Sequence, residues 1–568
     1  MNDIRRTILW VVFGFSMVLL WDQWQVYNGN SATFFPSPAA TTAKAPPAAA
    51  ASASATPGAT SLPTSTAATA GVAEVPSGKE AVAAREQVTV TTDLMRLVFD
   101  TEGGSLVRAE FLRHAADNTA GLPQDPRFVL LEQSAQRVYL AQTGLIGGDF
   151  PNHKTVMTLV PGERTLGDGS QSLAVRFESP EKNGVKLVKT YQLQRGAYDI
   201  AVKHEIINTG SQPVSPQVYL QLVRDGNKPA DESAFYSTFT GPAVFTEEKK
   251  FQKVEFADIE KGKADFQTKS SAGYVALVQH YFASAWILPQ GQPRDLFMRK
   301  VDTNLYAAGM ITAPQAVAPG ATATVQSTFF TGPQEEKMLE RVAPGLDLVK
   351  DYGWLTILAK PLYWLLDKLH SFLGNWGWSI MGLVLLIKIA FYWLQAKGYE
   401  SMAKMKAVNP RVMAMRERLK DNPQQMQQEM MRLYREEKVN PLGGCLPIVV
   451  QIPVFIALYW VLLSSVEMRH APWVGWIQDL SAKDPLYILP VIMTLSTMLQ
   501  TALNPVPPDP MQAKLMWIMP LVFSVMFFVF PSGLVLYWIT NNLLSIAQQW
   551  MINTRMGVPP EFNLPKFK

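Results

Sequence analysis

The sequence predicts a two-part membrane protein. Six transmembrane α-helices carry an exported all-β sandwich domain, inserted between the first helix and the second. Three observations predict it. Five apolar runs of near-membrane length follow residue 370. From about residue 87 to 350, apolar and polar residues alternate with period two between Gly, Asn, Asp and Pro breaks, the pattern of antiparallel strands. Lysine and arginine crowd one connecting loop, 396–444, which sets an orientation across the bilayer.

The bulk numbers agree with such a division. The chain has 568 residues, more than one domain's worth. Its charged fraction of 17% is low against the usual quarter. The mean hydropathy of +0.03 averages a polar N-terminal half and a strongly apolar C-terminal third. A net charge of +4 is too small to mark nucleic acid as the main partner, and no sequence-specific nucleic acid is expected. The single cysteine, Cys445, excludes an intramolecular disulfide, so the exported part must fold without one.

The elements follow in order. Arg5 and Arg6 precede an apolar stretch from Ile8 to Trp21 with no small-x-small cleavage site after it. Residues 1–22 therefore read as an uncleaved signal anchor with a cytoplasmic N-terminus. Residues 23–86, rich in Ala, Pro, Ser and Thr, cannot bury enough apolar surface to offset ordering entropy and read as a disordered linker. Residues 87–350 form the β domain: 88–92, 173–177 and 185–191 alternate, and Val218–Leu222 is a mostly apolar run rich in β-formers. His114, His153, His204 and His280 lie scattered without metal-ligand spacing, so no metal, cofactor or catalytic site is expected. Asp199 and Glu205 read as solvated or structural carboxylates. A carbohydrate site is open to a β-sandwich, though no residue points to one.

Residues 354–374 read as an amphipathic helix starting near Pro361 and stopping at Gly374. It either lies on the membrane surface or packs against the β domain. The remaining spans are 376–395, 445–466, 485–503, 515–530 and 533–552, each near the ~20 residues that cross ~30 Å of hydrocarbon. Pro531-Ser532-Gly533 leaves room only for a tight turn. Loop 396–444 carries ten Lys and Arg against six Asp and Glu and reads as a cytoplasmic helical hairpin broken at Asp421-Asn422-Pro423. Its charge either sets topology alone or docks acidic partners, and its seven methionines favour docking. The tail, 553–568, returns to the cytoplasm, which leaves 23–350 in the periplasm of a bacterium.

Lys388 is the candidate functional residue. It lies within an apolar span, and no membrane-length run holds an Asp or Glu to pair with it. A lone cation at that depth costs about 3 kcal/mol. It either snorkels to the interface or faces water. Gln451 in the third span, Thr494, Thr497 and Thr501 in the fourth, and Trp538, Asn541, Asn542, Ser545 and Gln549 in the sixth form polar stripes. Each stripe alone is explained by interhelical hydrogen bonds; together they favour a hydrated cavity. Ion-coupled transport needs buried acidic or histidine relays, which these spans lack. A small-solute transporter and a membrane-anchored carbohydrate-binding domain are the rival readings.

Several ordered motifs carry a resemblance. They are Asp351-Tyr352-Gly353-Trp354, Phe372-Leu373-Gly374-Asn375-Trp376-Gly377, Lys438-Val439-Asn440-Pro441-Leu442-Gly443-Gly444-Cys445, Asp509-Pro510-Met511-Gln512 and Phe530-Pro531-Ser532-Gly533-Leu534-Val535-Leu536-Tyr537-Trp538. On these the chain resembles the YidC/Oxa/Alb family of membrane protein insertases, in its Gram-negative form with a large periplasmic domain, over nearly its whole length. The resemblance implies a five-helix insertase core with a groove open to cytoplasm and lipid, no nucleotide hydrolysis, and a β-supersandwich of sugar-binding ancestry. It implies nascent membrane proteins as substrates, with the ribosome, a targeting receptor, the Sec translocon and membrane lipids as partners. The implied groove residues are Lys388, Val384, Gln451 and Trp538. The family usually has Arg at position 388, Thr at 384 and a second Tyr at 538, so this groove reads as slightly less polar. The C-terminal tail is short.

Overall fold

The computed structural model describes residues 86–116, 126–229, 238–419, 422–437, 446–504, 510–557 and 562. The expected anchor, nearly all of the linker, Cys445 and its motif, and the end of the tail lie outside these residues. The chain divides after Lys350 into two compact units.

The first unit is a sandwich of two nine-stranded antiparallel sheets. One sheet runs, in spatial order, Gln87–Thr91, Met95–Asp100, Ser105–Ala115, Arg127–Gln133, Val138–Ile146, Gln217–Asp225, Leu305–Thr312, Arg294–Asp302 and Lys269–Ser270. The other runs Lys250–Lys253, Gly241–Thr246, Tyr274–Gln279, Phe282–Ile287, Thr322–Pro333, Asp199–Asn208, Val185–Gln194, Ser172–Glu178 and Thr158–Leu159. The alternating segment Ser172–Glu178 buries Leu173, Val175 and Phe177 and turns its other residues outward. The apolar run at 218–222 falls in a central strand buried throughout, which is why it does not alternate. Two short helices, α1 (Phe256–Glu260) and α2 (Glu336–Val342), complete the unit.

Polar groups cross between the sheets. Lys189 is fully buried, and its ammonium donates to the carbonyls of Gly103 (2.6 Å) and Thr143 (2.7 Å). His204 Nε2 meets Thr143 Oγ1 at 2.9 Å, and the Tyr191 hydroxyl donates to the Gly104 carbonyl. Burial without a counter-charge pushes Lys189 down to about 7. Burial, with Lys189 nearby, pushes His204 down to about 3.

The second unit is helical: α3 (Thr356–Leu373), α4 (Trp376–Ala390), α5 (Tyr392–Arg418), α6 (Pro423–Glu436), α7 (Leu446–Ser464), α8 (Ile488–Leu503), α9 (Pro510–Met526) and α10 (Ser532–Arg555). Helix α10 is the hub, touching α4, α5, α7 and α8. A contiguous apolar core joins Tyr363 and Leu366 of α3, Ile380 and Leu383 of α4, Leu458 and Val461 of α7, and Val535 and Ile539 of α10.

Four expectations are corrected here. Helix α3 starts at Thr356, not near Pro361, which it contains; a 3₁₀ turn at Gly353–Leu355 leads directly into it, and the proline's fixed φ is helical. One face of α3 packs into the helical core, while Ile357, Trp364 and Phe372 point outward. The span expected at 376–395 breaks at Phe391, where α4 and α5 meet at 69°. The hairpin's first helix accordingly begins at Tyr392 rather than near 399. Within the hairpin, Met405 and Met430 pack against Val408 and Val412, whereas Met413 and Met431 are exposed. Among the described residues no single helix is long and apolar enough to cross a membrane, and only the bent pair α4–α5 passes that test by composition.

Candidate functional site

Lys388 sits in the last turn of α4, where the C-terminal carbonyls favour a cation. The one-residue break at Phe391 then folds α5 back toward it. Gln395 is seven residues on, two helical turns in an unbroken helix, and the bend keeps its side chain within reach. Lys388 is only 7% exposed. Its ammonium donates to Ser545 Oγ at 2.7 Å and to Gln395 Oε1 at 3.4 Å.

From there a head-to-tail chain of amides runs on. Gln395 Nε2 donates to Gln451 Oε1 (3.2 Å), and Gln451 Nε2 donates to Asn541 Oδ1 (2.9 Å). Ser545 in turn donates to the Asn541 carbonyl at 2.7 Å. The cation orients the series: each amide turns its oxygen toward the charge side and its nitrogen away. These groups line a hollow of about 280 Å³, with Gly398, Met402, Phe455, Trp538 and Asn542 among its walls. No Asp or Glu lines it. Tyr399 and Tyr537 stand in the same lining. The Trp538 indole N–H is buried there without a hydrogen-bond partner. The hollow therefore offers a cation and one uncommitted donor, and suits a hydrogen-bond acceptor.

Of the residues expected in the groove, the structure brings Lys388, Gln451 and Trp538 together. Val384 is set apart. One turn before Lys388, it is 2% exposed and packs in the apolar core, because its side chain has no polar atom to hold water beside it. The polar stripes also divide. Asn541 and Ser545 belong to the hollow's network, but Asn542 donates to Ser496 (3.0 Å) and Thr497 (2.9 Å), and Gln549 reaches the Leu503 carbonyl. These are interhelical ties to α8. The hydroxyls of Thr494, Thr497 and Thr501 return to carbonyls one turn back in their own helix. Gln395 and Tyr399 were not among the expected residues. The two-turn spacing from Lys388 to Gln395 was the available signal.

Around this polar centre the surface is apolar. Ile389, Trp393, Leu495, Val522 and Val525, on α4, α5, α8 and α9, are each at least 60% exposed.

In the β unit, a groove of about 490 Å³ lies over Thr190, Gln192, Lys203, Gln326 and Thr328. Neither a histidine nor a carboxylate lines it, so it lacks an acid–base pair. Among the described residues no cluster of His, Cys, Asp and Glu could hold a metal ion.

Comparison with known proteins bears on both units. Residues 87–365 match the family described as the YidC periplasmic domain, and residues 368–558 match the 60Kd inner membrane protein family. The chain is 58% identical over 558 residues to the membrane protein insertase YidC of Cupriavidus metallidurans, covering 98% of each. It is 57% identical to that of Cupriavidus necator over the same share, and 52% identical to that of Burkholderia multivorans over 98% of this chain and 99% of the other. The chain belongs to the YidC family of membrane protein insertases.

Proposed function

We propose that this protein inserts nascent membrane proteins into the bacterial inner membrane and chaperones their folding there, alone or beside the Sec translocon. The observation that carries this reading is the hollow: a cation with no acidic residue in its lining and one free indole donor, set among helices that expose large apolar side chains. A polar flank of a substrate finds acceptor-seeking groups in the hollow and so crosses a shorter hydrophobic path. Its apolar segment then passes along the outer surface into lipid, leaving water at about 0.8 kcal/mol per buried CH₂. No nucleotide or redox cofactor takes part.

In this reading six helices span the membrane with both termini cytoplasmic, the second span ending at the bend between α4 and α5. The β unit is periplasmic, a supersandwich on which insertion chemistry does not depend. Helix α3 lies at the periplasmic surface, its outward Ile357, Trp364 and Phe372 meeting lipid. The hairpin α5–α6 meets the ribosome and the targeting receptor through its net positive charge. Ion-coupled transport is disfavoured because the hollow has no acidic relay.

The test is insertion of a short, phage-coat-type substrate with an acidic flank into inner-membrane vesicles. Lys388→Arg is expected to keep insertion near wild type, and Lys388→Ala to lower it by roughly tenfold, the scale of one charged hydrogen bond. Lys388→Glu should block it. Insertion by Lys388→Glu at the wild-type rate overturns the electrostatic role.

A further inference from the structure

Gln395 occupies a position that the insertase reading leaves unused. It belongs to the first turn of α5, the helix that leads into the hairpin, and yet it is 5% exposed and bonded to the hollow's cation. The break between α4 and α5 contains neither Pro nor Gly; its residues are Ala390, Phe391 and Tyr392. Side-chain bonds therefore hold the 69° bend. They are Gln395 to Lys388 and Gln451, and Gln548 to the Tyr392 carbonyl at 3.4 Å. Most of these partners also line the hollow.

We infer that Gln395 is a positioning residue that latches the hairpin helix to Lys388, so that filling the hollow releases the hairpin. This rests on the insertase reading above. The Lys388–Gln395 contact, at 3.4 Å, is the longer of the ammonium's two bonds and pairs a cation with a neutral oxygen. A carboxylate entering the hollow offers the same ammonium a charge-assisted bond roughly twice as strong. The ammonium turns to the carboxylate, Gln395 loses its acceptor role, and the bend loses one of its ties. Reciprocity then holds: whatever draws the hairpin away from the hollow strengthens acceptor binding in it by the same factor. The device would link partner docking on the hairpin to substrate capture, with no direct contact between partner and substrate.

The test uses the full chain in lipid nanodiscs and two peptide substrates, one with an aspartate in its flank and one with asparagine there. In Gln395→Leu the competitor for Lys388 is gone, so the aspartate substrate should bind about fivefold tighter or more, the lower end of ordinary coupling. The asparagine substrate should change little. Gln395→Glu, which gives Lys388 a resident carboxylate, should weaken the aspartate substrate selectively. Spin labels at Met413 and Leu495, both exposed, report the hairpin in a Cys445→Ser background. Their separation should change on adding the aspartate substrate to the wild type, and should not respond in Gln395→Glu. Equal weakening of both substrates in Gln395→Leu, or no effect on either, overturns the latch. If the wild type binds neither substrate, the insertase reading fails instead.

Discussion

At the scale of single residues, position relative to the hollow decides what a side chain does. Val384 and Trp538 lie on facing helices, and the sequence placed both in the groove. The structure separates them, with Val384 packed in the apolar core and Trp538 lining the hollow. Photocrosslinkers at the two positions should therefore differ: one at Trp538 should capture a stalled nascent chain, and one at Val384 should capture almost none. Equal yields would return Val384 to the groove. In the β unit, Lys189 and His204 make a second prediction. Both have folded-state pKa values below their unfolded ones, so between the two values the unfolded chain holds more protons, and stability rises with pH. For His204 the window runs from about 3 to the ordinary 6.5, and for Lys189 from about 7 to the ordinary 10.5. The unit should thus gain stability as pH climbs from neutral to about 10, followed by hydrogen exchange of strand Val185–Gln194 in the intact chain. Lys189→Met should remove the alkaline part of that slope. Alternation puts Lys189 on the face of Val185, Leu187 and Tyr191, and His204 on that of Ile200 and Val202; their partners, Gly103 and Thr143, were not legible, because they belong to distant parts of the chain.

Among elements, the join between α3 and α4 shows why a motif is ordered as it is. In Phe372–Gly377, Gly374 ends α3 in the left-handed region at φ +68°, its N–H donating to the His370 carbonyl. Asn375 caps α4, accepting from the Trp378 N–H at 3.2 Å and donating to the Pro472 carbonyl. Gly377 lets the Trp473 ring pack against the backbone; a Cβ there would sit 2.2 Å from it. Asn375→Ala is expected to cost about 1 kcal/mol. Gly377→Ala should cost more, because Trp473 is held by its own backbone bond to Ile477 and cannot simply swing away. Thermal unfolding in detergent would check both, and a Gly377→Ala variant as stable as wild type would show that the ring does yield. The turn at Pro531–Gly533, expected from its shortness alone, is also pinned: the N–H groups of Ser532 and Gly533 donate to the carbonyls of Ala482 and Leu480. The α4–α5 bend is the element that the sequence hid. Its residues are ordinary helix formers, and only side-chain bonds across the bundle show why the helix stops at Ala390.

Over the whole molecule, the chain falls into two compact units. If insertion belongs to the helical unit, then replacing residues 354–568 by a plain membrane anchor should abolish it while the β unit still folds. Survival of function in that chimaera would favour a role seated in the β unit. The sequence by itself determined the division into an all-β and a helical part, the order of their elements, the hairpin break at Asn422 and the placing of a lone cation, Lys388, within an apolar run. All of these follow from periodicity, capping chemistry and charge placement, which are local. Tertiary structure alone decided which polar residues share the hollow, which are ties between helices, and that Gln395 and Tyr399 reach Lys388's surroundings while Val384 does not. The physical reason is that a side chain's partner is set by the packing of helices far apart in sequence. Residues 388, 451 and 541 become one network only when α4, α7 and α10 have come together.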